Sequence, residues 1–276
     1  MRSLKVEASF QMMKTPLPYK LFGKYKKLVM DARTEFKSLV HREFFINDGG
    51  VKFYVYQFNS KANKKALVVH GWMSESPHML MYIKYLIARD YQVICLDLPG
   101  HGRSPKAFLT WQKAVKAILS VDQSFGPFDL SLGHSFGGGM LMNSTSVSML
   151  SKEFETRFLA KKHVLIASAL SVNTPIRLYT KMMQLSNKQV EMLRKRVSED
   201  AGIPFDQMNS HYLYENFPQD SKIMLIHGTK DFVVDIQESQ KLAALSENIQ
   251  LVELKDMGHF KVLFEPTTLN YLDSFV

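Results

Sequence analysis

Leu-Gly-His-Ser-Phe-Gly-Gly-Gly, at residues 132–139, follows a short apolar run and precedes a segment that continues without glycine or proline. The run at 128–132 is typical of a buried strand, and the segment from Met140 onward is typical of a helix. A Gly-X-Ser-X-Gly at such a junction makes a turn so tight that flanking side chains would collide, and it leaves Ser135 exposed at the end of the strand. Glycine-rich turns that have no catalytic role share this pattern, so the rest of the chain must decide whether this turn is catalytic.

Predicted strands and helices alternate on both sides of this turn. Apolar runs at 66–72, 93–96, 163–167, 222–227 and 249–254 indicate strands, and helices are expected at 77–90, 107–124, about 236–246 and the C-terminus. Residues 41–46 and 51–58 flank Asn-Asp-Gly-Gly, which predicts an antiparallel hairpin. The pattern predicts the α/β class, with a doubly wound, mostly parallel sheet covered by helices on both faces.

The alternation stops between Ser168 and Gln219. Helices are expected at 177–185 and 188–200, followed by a stretch rich in methionine and aromatic residues that ends at Phe217. We interpret residues 170–217 as a small helical cap over a pocket, although an ordinary packed helix pair fits the same pattern. The cationic side chains of this segment are expected on the solvated faces of its helices: Arg177, Lys181, Arg194, Lys195 and Arg196.

The N-terminal segment is strongly basic. Residues 1–40 hold nine Lys and Arg against three Asp and Glu, a net charge of +6 out of the +9 of the whole chain. Apolar residues recur every three or four positions from Tyr19 to Leu39, which predicts one amphipathic helix. We expect this helix to pack on the body of the protein and not to insert stably into a membrane. Residues 1–18 carry only weak signals.

The composition limits the class of protein, the partners and the location that we expect. The chain has 276 residues, 46% of them hydrophobic and 22% charged, as in an ordinary globular protein. The near-neutral body argues against a nucleic-acid partner, and Cys95, the single cysteine, allows no intramolecular disulfide. No apolar run reaches the roughly 18 residues of a membrane span. These features favour a cytoplasmic location. The pattern of predicted elements divides the chain into an N-terminal extension (1–40), a core (41–169 and 218–276) and the cap (170–217).

A serine nucleophile needs a base beside it and an acid that orients the base. Asp231 follows the predicted strand at 222–227, and His259 follows the strand at 249–254, so both should lie at the carboxyl ends of strands, as Ser135 does. We therefore predict Ser135, Asp231 and His259 as the catalytic residues, in that order. Asp235 is expected to cap the next helix. The competing His227 falls at a strand end, so we do not expect it to be the catalytic base.

Four separated motifs resemble those of the α/β-hydrolase superfamily over about residues 41–276. They are His-Gly-Trp at 70–72, Asp-Leu-Pro-Gly-His-Gly-Arg-Ser at 97–104, Gly-His-Ser-Phe-Gly at 133–137 and Gly-His at 258–259. The resemblance implies the α/β-hydrolase fold with a cap, and an oxyanion hole made by the backbone N–H groups of Trp72 and Phe136. It also implies a structural role for Asp97 and His101. Asp235 stands where relatives often have proline.

The expected activity is that of a carboxylesterase-like serine hydrolase, which cleaves small to medium esters through an acyl-enzyme intermediate. Two alternatives remain open: a C–C bond hydrolase of the ring-cleavage or β-diketone type, and a ligand-binding homologue with little turnover. No cofactor and no metal site are predicted. The expected partner is a small-molecule ester, and the chain would be a monomer or a homodimer. Apolar side chains suited to line the pocket are Trp72, Met73, Phe136, Met182, Met183 and Phe260.

Overall fold

An eight-stranded sheet runs through the part of the chain that the computed structural model describes, residues 3–16, 26–147 and 154–276. Its strands are β1 (Arg42–Asp48), β2 (Val51–Phe58), β3 (Lys64–Val69), β4 (Tyr91–Asp97), β5 (Phe128–His134), β6 (Ala160–Ile166), β7 (Lys222–Gly228) and β8 (Ile249–Leu254). The spatial order is β1-β2-β4-β3-β5-β6-β7-β8. β1 pairs antiparallel with β2, and β2 antiparallel with β4; the other pairs are parallel. The predicted α/β sheet with a leading hairpin is confirmed.

The central strands are apolar along most of their length because helices cover both faces of the sheet. In the register, Val68 of β3 lies opposite Leu132 of β5, which in turn lies opposite Val164 of β6. All three side chains are fully buried. Since β3 and β5 to β8 are parallel, their carboxyl ends meet at one edge, and the loops that carry Ser135, Asp231 and His259 leave the sheet there.

The helices are α1 (Leu4–Lys14), α2 (Lys26–Leu39), α3 (Leu80–Ile87), α4 (Trp111–Phe125), α5 (Phe136–Thr145), α6 (Asn173–Met183), α7 (Asn187–Ala201), α8 (Ser210–Tyr214) and α9 (Ile236–Ala243). α4 begins later than predicted because the side chain of Thr110 caps it by accepting the Lys113 N–H. Helices α6, α7 and α8 all fall within the range proposed for the cap.

The predicted C-terminal helix is wrong. The structure has two short 3₁₀ segments there, Lys261–Leu263 and Pro266–Tyr271. Pro266 has no N–H and its ring blocks the preceding turn, so a continuous α-helix cannot pass through it. The first segment is held to the core instead, because the hydroxyl of Tyr82 donates a 2.6 Å hydrogen bond to the carbonyl of Val262.

The N-terminal segment differs from the sequence interpretation. Helix α1 was missed because its apolar residues at 4, 6, 8 and 10 alternate like those of a strand. The helix predicted over 19–39 is present from Lys26, and its first part, 19–25, lies outside the described residues. Within the described ranges, no helix is both long enough and apolar enough to cross a membrane.

Helix α2 packs on the body, as predicted. The ring of Phe36 meets those of Tyr56 and Phe58 edge-on, each at a centroid distance of 5.1 Å. Val29, on the same helix, is also buried, and Arg33 forms an ion pair with Glu75. The apolar stripe of α2 is therefore used in packing on the sheet.

Phe36→Ala should lower the free energy of unfolding by about 3–5 kcal/mol, because it leaves a cavity between α2 and the sheet. Urea denaturation measures this change. Met30→Ala is the control, since Met30 is 56% exposed on the same helix, and it should change stability by less than about 0.5 kcal/mol. Equal losses in the two variants would show that α2 contributes nothing through this face.

Candidate active site

Ser135 occupies the sharp turn between β5 and α5. Its backbone has φ 52° and ψ −120°, a conformation that L-residues rarely adopt and that costs about 1–3 kcal/mol. Its N–H donates a 2.9 Å hydrogen bond to the carbonyl of Ile166. A Cβ on Gly133 would lie 2.6 Å from the Gly138 Cα, and one on Gly137 would lie 2.5 Å from the Val69 carbonyl oxygen. Only glycine fits at these two positions.

The structure brings the three predicted catalytic side chains together. The Ser135 Oγ lies 3.0 Å from Nε2 of His259, and Nδ1 of His259 lies 2.7 Å from Oδ2 of Asp231. A carboxylate can only accept, so Nδ1 of the imidazole carries the proton and Nε2 accepts the serine O–H. The three side chains are almost fully buried. This geometry lets the imidazole remove the serine proton while the carboxylate stabilises the resulting imidazolium.

Asp231 lies in a site that favours its charged form. Burial would raise the pKa of this carboxyl, but hydrogen bonds from His227 and His259 and from backbone N–H groups hold it well below its usual range. The N–H groups of Val233 and Val234 donate to Oδ1 at 2.8 and 2.9 Å. Asp231 is therefore ionised at neutral pH, and its other oxygen remains for His259.

His227 is a neighbour of the acid that the sequence interpretation missed. It is fully buried, and its Nε2 lies 3.4 Å from Oδ2 of Asp231 and 3.3 Å from the carbonyl oxygen of Val234. Both neighbours are acceptors, so Nε2 carries the proton and Nδ1 accepts the hydroxyl of Ser239 at 2.7 Å. Its position as the second-last residue of β7, one before the Gly228 turn, is the signal that could have revealed it.

His134, which directly precedes the serine, contacts both the backbone and the ring of His259. Its Nε2–H donates a 3.0 Å hydrogen bond to the His259 carbonyl, and the two rings lie 4.8 Å apart. Burial, together with the nearby His259, lowers the pKa of His134 to about 3. The ring is therefore neutral at pH 7 and adds no charge that would compete with an imidazolium at His259.

The two predicted oxyanion-hole residues flank Ser135. The ring of Trp72 meets that of Phe136 edge-on at 5.4 Å, which ties the loop after β3 to the start of α5. Gly71 packs so closely that a Cβ there would lie 3.0 Å from the Ser135 Cβ. Trp72 directly follows this glycine, and Phe136 directly follows Ser135. Their role as oxyanion donors remains a prediction.

Two histidines brace the Trp72 loop against the loop after β4. Nε2 of His70 accepts the N–H of Leu98 at 3.0 Å, and Nε2 of His101 accepts the N–H of Met73 at 3.1 Å. Burial lowers the pKa of both rings, to about 3 for His101, so both stay neutral as these bonds require.

Asp97 fixes the same region from the end of β4. Its side chain accepts from the Tyr56 hydroxyl and from the backbone N–H groups of Ser76 and Arg103, at 2.8 to 2.9 Å. The structural role expected for Asp97 and His101 is confirmed.

A cavity of about 510 Å³ opens beside Ser135. Its wall is largely apolar and includes side chains from α1, the loop after β3 and the cap, among them Phe10, Met13, Trp72, Met73, Leu178 and Met208. Of the six pocket residues predicted, Met182 and Met183 do not line it. Met182, near the end of α6, is half exposed instead.

Asp235 caps α9, as predicted, by accepting the N–H of Gln237 at 3.0 Å. Its second oxygen pairs with the guanidinium of Arg177 at 3.0 Å, and the same guanidinium donates to the carbonyl of Val233. Arg177 is thus not simply a solvated side chain: it joins α6 to the loop that holds Asp231. Over the described part of the chain, no cluster of three or more His, Cys, Asp or Glu could hold a metal ion.

Comparisons with known proteins agree with this fold. The model of the alpha/beta hydrolase family matches residues 66–268, so the chain belongs to that family of hydrolases. The monoacylglycerol lipase ABHD6 of Rattus norvegicus is 22% identical, over 77% of this chain and 75% of its own length.

Solved structures show the same architecture. The esterase Pf2001 of Pyrococcus furiosus matches with a TM-score of 0.63 and 16% identity, over 88% of this chain and 91% of its own. The alpha/beta hydrolase domain-containing protein 10 from mouse matches with a TM-score of 0.60 and 16% identity, over 84% and 97%. At these identities the likeness shows the fold alone.

Asp231→Asn should lower the kcat of hydrolysis by about 10⁴-fold, because an amide at this position no longer fixes the required tautomer of His259. Asp235→Asn is the matched control, since asparagine also caps helices and the half-exposed pair with Arg177 contributes less than about 1 kcal/mol. Steady-state kinetics on both variants makes the comparison. The opposite ranking would identify Asp235 as the functional acid.

Proposed function

We propose that this protein is a serine hydrolase that cleaves carboxylic esters through an acyl-enzyme intermediate. The observation that carries the proposal is the continuous hydrogen-bonded path from the Ser135 hydroxyl through His259 to the ionised Asp231. Free serine is a weak nucleophile, and such a path supplies both the base and the acid that orients the base. Membership of the hydrolase family is consistent with this chemistry.

In the proposed reaction, the Ser135 Oγ attacks the ester carbonyl carbon while Nε2 of His259 takes the serine proton. The carbonyl π electrons move to oxygen, and the N–H groups of Trp72 and Phe136 stabilise the resulting oxyanion, at about 3 kcal/mol for a donor of this kind. When the intermediate collapses, the C–O bond breaks and the alcohol leaves with the proton from His259. Water then attacks the acyl-enzyme by the same steps, releases the carboxylic acid and restores Ser135.

The apolar cavity favours substrates with a small to medium acyl group. The cap, 170–217, is shorter than a lid that would enclose long lipid chains, and its methionines offer adaptable apolar surface. The monoacylglycerol lipase and the esterase that this chain resembles are both enzymes named for ester substrates, which agrees with ester cleavage. A C–C bond hydrolase would share the same three residues, so substrate tests must include one of its diketones.

Ser135→Ala should abolish ester turnover and labelling by a fluorophosphonate probe, because the variant lacks the attacking oxygen. The wild-type protein should bind one probe per chain. Circular dichroism of the variant checks that the fold is retained, and Ser146→Ala, at the end of α5, controls for the loss of a buried serine hydroxyl. Undiminished turnover by Ser135→Ala would contradict the proposed function.

The kcat/KM for p-nitrophenyl esters should rise with acyl length and then fall within roughly two to eight carbons. Each methylene that enters the cavity contributes up to about 0.8 kcal/mol, which is about fourfold in rate. A profile that rises as far as palmitate would contradict the proposed size limit. Poor turnover of every ester beside rapid cleavage of a ring-cleavage diketone would show C–C hydrolysis instead.

A further inference from the structure

Helix α1 lies outside the segment matched by the family model and yet contributes to the cavity beside Ser135. Phe10 and Met13 of this helix both line that cavity. Phe10 is 2% exposed, whereas Met13 is only partly buried. The N-terminal extension is therefore part of the wall that a substrate would meet.

The cap holds α1 through an apolar seam. Val6 and Phe10 pack against Ile176 of α6 and against Leu193 and Val197 of α7, and all five side chains are buried. Without α1, this face of the cap would be exposed to water, which is unfavourable for a contiguous apolar patch.

Polar contacts fix both ends of the helix. At its start, the Gln189 side chain donates a 3.0 Å hydrogen bond to the Ser3 hydroxyl. At its end, Lys14 pairs with Asp200 of α7 at 3.0 Å, and the Lys14 carbonyl accepts the N–H of Leu109 at 2.9 Å. Because Asp200 belongs to the cap and Leu109 to the core, α1 spans the two.

The buried side of the helix carries Val6, Ser9 and Phe10, and the exposed side carries Leu4, Lys5, Ala8 and Gln11. Arg196 of α7 lies over the Phe10 ring at 4.1 Å and faces Glu7 at 3.6 Å. Met13 lines the cavity. Met13, which is only partly buried at the cavity, is therefore the α1 side chain best placed to contact an acyl chain.

We propose that α1 is a fixed wall of the substrate cavity and that Met13 is a residue that limits the acyl length accepted. This inference rests on the proposed ester hydrolysis. It assigns a role to the N-terminal segment: a larger side chain at position 13 shortens the space for the acyl chain, and a smaller one lengthens it.

The test compares p-nitrophenyl acetate, butyrate, octanoate and laurate on variants of position 13. Met13→Trp should lower kcat/KM for octanoate by about tenfold or more while acetate changes less than about twofold, because only the longer chain reaches the wall. Met13→Ala should shift the optimum toward laurate. Leu4→Trp and Leu4→Ala are matched controls, since Leu4 is 89% exposed on the same helix, and they should leave the profile unchanged.

A binding measurement separates this inference from the proposed function. In the Ser135→Ala background, isothermal titration calorimetry with octanoate, an eight-carbon carboxylate, reports filling of the cavity without any turnover. Adding Met13→Trp should weaken binding by about tenfold, whereas adding Leu4→Trp should not. If Ser135→Ala still hydrolyses esters, the proposed function is wrong. The titration then still tests whether Met13 borders the space that the ligand fills. Identical acyl profiles and affinities for the position-13 and position-4 variants would contradict the proposal that Met13 limits the acyl length.

Discussion

The left-handed backbone of Ser135 is the constraint on which the rest of the site depends. It turns the chain from β5 into α5 within one residue and holds the hydroxyl 3.0 Å from His259. Such a conformation persists only where the surrounding structure enforces it. Here the bond from Ser135 N–H to β6 and the close packing of Gly133 and Gly137 provide that support. The parallel strands then bring the loops with Asp231 and His259 to the same edge.

Around this turn, buried histidines act as neutral connectors. His70, His101 and His134 each use ring nitrogens to join one loop to another, and burial keeps the pKa of each well below its ordinary value. Protonation of His70 or His101 would remove the ring nitrogen that accepts a backbone N–H, and each of the three buried rings, if charged, would face desolvation without a partner. His259 differs from them, because a carboxylate on one side and a hydroxyl on the other give it the environment of a base.

The sheet and the arrangement of Ser135, Asp231 and His259 could be predicted because both depend on local patterns. Apolar runs mark buried parallel strands, and the loops that follow such strands meet at one edge. The C-terminal segment differs from the predicted helix because Pro266 interrupts it and divides it into two short 3₁₀ segments. Helix α1 could not be found from periodicity, since its alternating apolar residues are stabilised as a helix by packing on the cap. The role of Arg177 depends on contacts between distant segments, which sequence spacing does not encode.

The central claim is that Ser135 becomes acylated during turnover. Its most direct test is mass spectrometry of the intact protein, and of its peptides, quenched while it hydrolyses a slowly deacylated ester. We expect one acyl group per chain, on the peptide that contains Ser135, with an initial burst of alcohol equal to the enzyme concentration. Steady consumption of the ester with no acyl-enzyme, or with the acyl group on another residue, would contradict it.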